Sequence, residues 1–218
     1  MTERTTITRL REKASTERAE LDKLLDATRV GHFAVVAPDG HPVVIPTAIV
    51  RDGDRVLAHG STGSKWMRAL ADGAPTCLAV TELGGLVVAR SAFESSLHYR
   101  SAVLFGACTP VGEDEKQDAL DLITEALLPG RVAEIRRPSD RELRATLVLA
   151  LPIAEWSLKV SEEWPDDPPE DVAGDAWAGV VPLVSSYGAP RSTPDLRTGI
   201  PVPSSVRDLT IANGDKAR

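Results

Sequence analysis

The stretch richest in potential chemistry is His59-Gly60-Ser61-Thr62-Gly63-Ser64-Lys65. Its glycines let backbone N–H groups converge, and three hydroxyls and an ammonium add further donors. The helix expected from Lys65 to Ala71 begins with N–H groups that have no intrahelical partner. Such donors suit a phosphate. The spacing is not the GxxxxGK[ST] of a P-loop, and no strand-helix-strand series surrounds it, so a nucleoside triphosphate site does not follow. A polar turn in which Ser64 caps the helix accounts for the same residues, and the local sequence leaves both readings open.

A second polar cluster, Tyr99-Arg100-Ser101, heads an apolar run that passes through Phe105-Gly106. It either solvates a strand end or presents a guanidinium and a hydroxyl to a ligand in a barrel mouth. The histidines at 32, 41, 59 and 98 fall on different expected segments, with no i,i+4 pair and no HExxH, so no metal site is expected. Hydrolase chemistry has no foothold, because neither a GxSxG elbow nor a Cys–His signature occurs. Cys77 and Cys108 form no CxxC pair and are expected as small core residues.

Positioning these groups requires a scaffold, and hydrophobic periodicity outlines one. Ser15 to Arg29 has largely helical spacing, with Thr16 available as its cap. His32 to Pro38, Pro42 to Val50 and Arg55 to His59 are expected as antiparallel strands, joined by turns at Asp39-Gly40 and Arg51-Asp52-Gly53-Asp54. Pro75 to Leu83 and Gly85 to Ser91 read as two further strands, while Ser91 to His98 is strand or loop. Arg100 to Val111 reads as a strand bent at Gly106. Glu113 to Leu128 is an amphipathic helix stopped by Pro129-Gly130. Arg141 to Ile153 and Ala154 to Val160 supply closing strands. Many strands with few crossover helices predict a mainly β fold, a β-barrel with flanking helices.

The chain of 218 residues suits one substantial core, here expected over 1–162. After Ser161 the sequence turns Pro-rich, so 163–218 is expected as an arm packed on the barrel or on a partner subunit. A net charge of −7 disfavours a polyphosphate backbone, so no nucleic-acid partner is expected. No apolar stretch has the length of a signal peptide or a membrane span, and a cytoplasmic location is expected.

The succession His41-Pro42-Val43-Val44-Ile45-Pro46-Thr47, Asp52-Gly53-Asp54, His59 to Lys65 and Tyr99-Arg100-Ser101-Ala102-Val103 with Phe105-Gly106 is similar to the pyridoxamine 5'-phosphate oxidase-like FMN-binding split-barrel superfamily. The nitroimidazole-reductase-like branch is the nearest. Glu155-Trp156-Ser157-Leu158-Lys159-Val160 and Trp177-Ala178-Gly179-Val180-Val181-Pro182-Leu183 extend the resemblance over most of the chain. It implies a six-stranded Greek-key split barrel and a homodimer with FMN at the subunit interface. By the same resemblance, Ser61, Thr62, Ser64 and Lys65 hold the phosphate with His59 beside it. Pro46, Thr47 and Ala48 run along the isoalloxazine edge, and Arg100 and Ser101 contact the ring or the ribityl chain.

The sequence departs from true pyridoxamine-phosphate oxidases. Ser64-Lys65-Trp66 stands where they have a Ser-Arg-Lys run, Ser101 stands where they have Gln, and their basic and aromatic C-terminal signature is missing. The resemblance therefore implies an oxidoreductase passing electrons from a reduced nicotinamide, NAD(P)H, through FMN to a small acceptor such as a nitroaromatic or quinone, rather than vitamin-B6 oxidation. No catalytic side chain is named, since the cofactor would carry the difficult step. The alternatives are a non-catalytic flavin-binding or sensor protein, and a deazaflavin- or haem-binding split barrel.

Overall fold

The computed structural model describes residues 2–214. Met1 and 215–218, the extreme ends of the two expected segments, lie outside the described residues.

Two short 3-10 turns, Glu3–Thr5 and Arg11–Lys13, lead into β1 (Ala14–Ser15) and α1 (Arg18–Ala27). Leu21, Leu24 and Leu25 of α1 are buried at the i, i+3, i+4 spacing that brings them onto one face. Thr16 does not cap this helix. The cap position is Glu17, and Ser15 Oγ accepts from its N–H at 3.2 Å, because β1 anchors the preceding chain against Leu158 and Lys159.

The meander β2 (Val30–Val36), β3 (Pro42–Asp52) and β4 (Arg55–Ser61) follows the expected turns. Gly40 and Gly53 take φ of +85° and +58°, which side-chain-bearing residues rarely adopt. The helix α2 (Lys65–Ala71) then buries Met67 and Leu70. The two strands expected on either side of Gly84 are one, β5 (Pro75–Val88), with a register shift between Leu83 and Gly85. A bulge absorbs the extra residue without ending the ladder, so paired glycines that read as a break are a bend.

The next strand, β6 (Ser96–Ala107), begins earlier than Arg100 and takes in the last three residues of the ambiguous segment Ser91 to His98, whose first five form a turn. Past the buried Cys108, the chain continues as β7 (Thr109–Pro110) and then α3 (Lys116–Leu127). A helix unforeseen in the sequence, α4 (Asp140–Arg144), precedes β8 (Thr146–Pro152) and β9 (Glu155–Ser161). Its signal was present as Ser139-x-x-Glu142, a capping box in which Ser139 Oγ accepts from the Glu142 N–H.

The strands run β1-β9-β6-β5-β2-β3-β4-β8-β7, with every pairing antiparallel. Because β7 follows β6 in the chain and pairs with β8, the path returns to β6. That return closes the barrel, and the expected mainly β fold with flanking helices is the one observed.

Phe33, Ile49, Leu78, Leu104, Leu149 and Leu151 fill the interior with α1 packed among them. A smaller cluster lies outside, where Leu57 of β4 and Val148 of β8 meet Ala119 and Ile123 of α3. Alternation along β4 produces this division, since Val56 and Ala58 join the inner cluster while Leu57 joins the outer one.

The arm is docked on the barrel. After α5 (Pro169–Val172), β10 (Gly179–Pro182) pairs with β5 from Gly85 to Val88, and α6 (Ser204–Gly214) follows. The Asp167 side chain, 1% exposed, accepts from Arg90 N at 2.8 Å and from its Nη1 at 2.9 Å. Among the described residues, no helix is long and apolar enough to cross a membrane.

Candidate functional site

The glycine-rich turn lies between the end of β4 and the start of α2. Its backbone amides do not converge on open space. Thr62 N–H donates to the Ala145 carbonyl at 3.0 Å, Gly63 N–H to Ser61 Oγ at 3.1 Å and Ser64 N–H to the Ser61 carbonyl at 3.0 Å. The cradle of loop N–H groups suggested by the sequence is therefore already used within the chain. Simple capping does not explain the turn either, because Ser64 makes no side-chain cap hydrogen bond.

Side-chain donors are what remain. Among the described residues, Thr62 Oγ1, Ser64 Oγ and Lys65 Nζ have no hydrogen-bond or ion-pair partner. One further cation lies close by: Arg68, one turn along α2 from Lys65, reaches the Thr62 carbonyl with Nη1 at 3.4 Å. The i,i+3 spacing of Lys65 and Arg68 was the signal for it in the sequence.

The split in the barrel opens beside this turn. β3 pairs with β2 from Pro42 to Ala48, but with β4 only from Ile49 to Asp52. Pairing between β3 and β4 thus ends at Ile49 opposite Ala58, and the next residues, Ala48 and His59, diverge. β4 beyond that point pairs with β8 alone, down to Ser61 opposite Thr146. Pro46, Thr47 and Ala48 consequently form an edge with no strand on one side, and Ser61 to Lys65 form the opposing lip. The register places these two predicted groups on the two strand ends that flank the same opening.

Arg100 and Ser101 are placed elsewhere. Pro46 pairs with His32, His32 with Ala79, and Ala79 with Val103, so β6 is three strands from β3, about 14 Å around the sheet. Arg100 is held by Glu162 and, at 3.5 Å, by Glu82, while Ser101 Oγ accepts from Thr81 Oγ1 at 3.4 Å.

His59 faces away from the barrel interior. It follows Leu57 on the outer face of β4 and lines a cavity of about 430 Å³ under α3 and the segment before α4. Leu120, Val132, Ile135 and Pro138 supply apolar walls, and Arg136 and Arg137 stand at the rim. The buried Nδ1 of His59 has no hydrogen-bond partner. Burial holds the imidazole below its ordinary value of 6.5, so the ring is neutral at pH 7. Arg136 forms a bidentate pair with Glu142 at 2.7 Å to each oxygen, and Arg137 pairs with Asp121 at 2.8 Å.

The family model for pyridoxamine 5'-phosphate oxidase matches residues 17–160, from the start of α1 to the end of β9. The chain belongs to this family. Solved structures extend the match of this pyridoxamine 5'-phosphate oxidase family member through the arm. The FAD and haem binding protein from Mycobacterium smegmatis is 54% identical, with a TM-score of 0.88 over 91% of this chain and 97% of that one. The flavocytochrome Anf3 from Azotobacter vinelandii is 34% identical, with a TM-score of 0.89 over 95% and 97%. A 5-nitroimidazole antibiotic resistance protein from Bacteroides thetaiotaomicron, described as putative in that role, shares the fold at 18% identity and a TM-score of 0.57, over 67% and 86%. No curated protein matches. Membership of the pyridoxamine 5'-phosphate oxidase family establishes the barrel, and the reaction has to be argued from the site.

Proposed function

We propose that this protein is a flavin-dependent redox protein that binds FAD together with haem and works as a homodimer. The observation that carries the flavin half is the lip at Thr62, Ser64 and Lys65, where three unpartnered side-chain donors stand at the strand opening that also leaves the edge Pro46 to Ala48 unpaired. An anionic phosphate group matches the ammonium and hydroxyls, and unpaired strand groups match the polar rim of a flat heterocycle. FAD is preferred to the FMN suggested by the sequence resemblance because the 54%-identical relative is described as binding FAD. Of the two relatives described above at more than 30% identity, one is described as binding FAD and haem and the other as a flavocytochrome.

The residues present fit a haem. One neutral imidazole with a buried, partnerless nitrogen lines a cavity with apolar walls at Leu120, Val132, Ile135 and Pro138, and its polar rim carries two guanidinium groups paired with Glu142 and Asp121. When bound, a flavin supplies hydride and one-electron chemistry and a haem supplies one-electron chemistry. The chain's own residues would bind and orient these groups and limit access of water. Reduced nicotinamide as donor and a small nitroaromatic or quinone-like acceptor complete the proposed activity.

The homodimer is implied by the family resemblance, and the separation of the predicted groups supports it. If Arg100 and Ser101 touch the same flavin as Pro46 to Ala48, a second copy has to supply them. The exposed Val43, Val44 and Leu86 provide apolar surface for such a contact.

Purified protein should show flavin and Soret absorbance, release FAD rather than FMN on denaturation, and bleach when reduced nicotinamide is added without oxygen. Protein that stays colourless after incubation with both FAD and hemin would overturn the proposal. A bound flavin that no nicotinamide reduces would leave a binding protein without this turnover.

A further inference from the structure

Resting on the haem half of that reading, we infer that His59 is the protein ligand of the haem iron, with the porphyrin seated in the cavity between β4, α3 and the segment 132–138. Arg136 and Arg137 at the rim would meet its two propionates.

The other histidines are poorly placed for this role. His98 Nε2 is within 2.9 Å of the Glu163 carbonyl, His41 lies 3.5 Å from Asp39 on an exposed turn, and His32 is exposed on β2. His59 alone among the four combines a ring without hydrogen bonds with a place in the wall of a cavity. With Nδ1 shut away from water, Nε2 is left as the nitrogen open to the cavity, and a neutral imidazole offers its lone pair there.

Donor number points to a porphyrin rather than a bare cation. Among the described residues, no three His, Cys, Asp or Glu side chains gather as a metal site. A single imidazole does not satisfy a transition-metal ion that takes three or four protein donors, but it completes an iron already held by four pyrrole nitrogens. The remaining surroundings match the shape of that ligand. A cavity of about 430 Å³ with Leu120, Val132, Ile135 and Pro138 in its walls accepts an apolar macrocycle edge.

The rim matches its carboxylates. Arg136 and Arg137 are 73% and 63% exposed, and each engages one carboxylate partner. A guanidinium has five N–H donors, so each retains donors for a second anion.

The site follows from the register of one strand. Pairing of β4 with β8 places His59 opposite Val148, on the side covered by α3, while Ala58 turns into the barrel. The flavin lip begins two residues later at Ser61, so a single strand end would hold both cofactors close together.

The test uses the full-length protein reconstituted with hemin and FAD, comparing His59→Ala with the wild type. Groups that only hydrogen-bond to metal ligands are already worth about 10–100-fold in affinity, so loss of the ligand itself should weaken hemin binding at least about tenfold. FAD content and circular dichroism should be unchanged, and added imidazole should restore the Soret band and the electron paramagnetic resonance spectrum of the wild type. Unaltered hemin affinity and spectra in His59→Ala would overturn the assignment while leaving a haem protein. A wild type that takes up FAD but never hemin would overturn the haem half of the proposed function and this inference with it. If His59→Ala does not fold, His59→Met exchanges a nitrogen donor for a thioether. Altered spectra would then support the inference, and spectra identical to the wild type would refute it.

Discussion

Lys65 carries the clearest chemical expectation of any single residue. Its ammonium is exposed and without an ion-pair partner, in a chain where half of the arginines among the described residues are tied to carboxylates. A charge-assisted contact to a phosphate is worth about 1.5–3 kcal/mol, so Lys65→Ala should weaken flavin binding by about one to two orders of magnitude, read by fluorescence titration. Unchanged affinity would remove Lys65 from the site. His59 predicts a pH dependence of the apoprotein. Its folded-state value is lowered by burial from an unfolded value near 6.5, so the unfolded chain binds the extra proton first. The stability due to the neutral ring is complete above that value and is lost progressively as pH falls below it. Denaturant midpoints of His59→Leu should therefore fall less steeply than those of the wild type between about pH 7.5 and 5.5. Cys108 stands at the other extreme of reactivity, since burial pushes its thiol up to about 12 and leaves it an inert core group.

At the scale of elements, two attachments hold the arm. At Gly85 the Val181 carbonyl of β10 lies 2.5 Å from where a Cβ would stand, and that neighbour is backbone. Gly85→Ala should therefore push β10 away from β5. The Leu183 amide, which donates to the Gly84 carbonyl at 2.9 Å, should lose its protection from hydrogen exchange. The second attachment is Glu134, which accepts from Ser205 Oγ at 2.5 Å, Ser205 N at 3.1 Å and Ser204 Oγ at 2.8 Å at the start of α6. The hydrogen bonds from Ser205 hold its carboxyl down to about 2. This support is present above the ordinary carboxylate value of 4.5 and is lost as pH falls towards about 2. Glu134→Gln should release α6 at neutral pH, seen as faster proteolysis of the last residues, while β8 and β9 remain protected. The 3-10 turn bearing Glu134 also includes Val132 of the cavity wall, so this clasp and the proposed haem site share one segment.

For the whole molecule, the question is what completes the split. Arg100 and Ser101 lie about 14 Å around the sheet from Pro46, whereas Ser61 to Lys65 lie across the opening beside it. A dimer that brings the first pair to its neighbour's opening would unite all the residues named by the family resemblance. Light scattering on the flavin-loaded protein should give twice the mass of a 23.3 kDa chain. If flavin lies at the interface, its removal should shift the equilibrium towards monomer, because a ligand that touches both subunits stabilises their association. A monomer that retains stoichiometric flavin would refute the shared site.

How far the molecule could be read from its sequence differs between particular residues. The hairpins at Gly40 and Gly53, the helix from Lys65 to Ala71 and the buried stripe Leu21, Leu24, Leu25 were legible because turn chemistry and apolar periodicity are local properties. The family could be read from motif order, which survives without coordinates. Continuity of β5 through Gly84 was hidden, since the hydrogen bonds that carry a strand across a bulge come from β6. Ser139-x-x-Glu142 did announce α4, but the apolar run after it had suggested strand from Arg141 onward. The fate of the loop amides at 62–64 could not be read at all: the Ala145 carbonyl that engages Thr62 lies more than eighty residues away along the chain. The same applies to His59. Sequence placed it next to a phosphate-like turn, but only the pairing of β4 with β8 and the packing of α3 over that face decided that its ring meets a cavity. Local chemistry follows from residue order, whereas partners distant along the chain are chosen by the closure of the barrel.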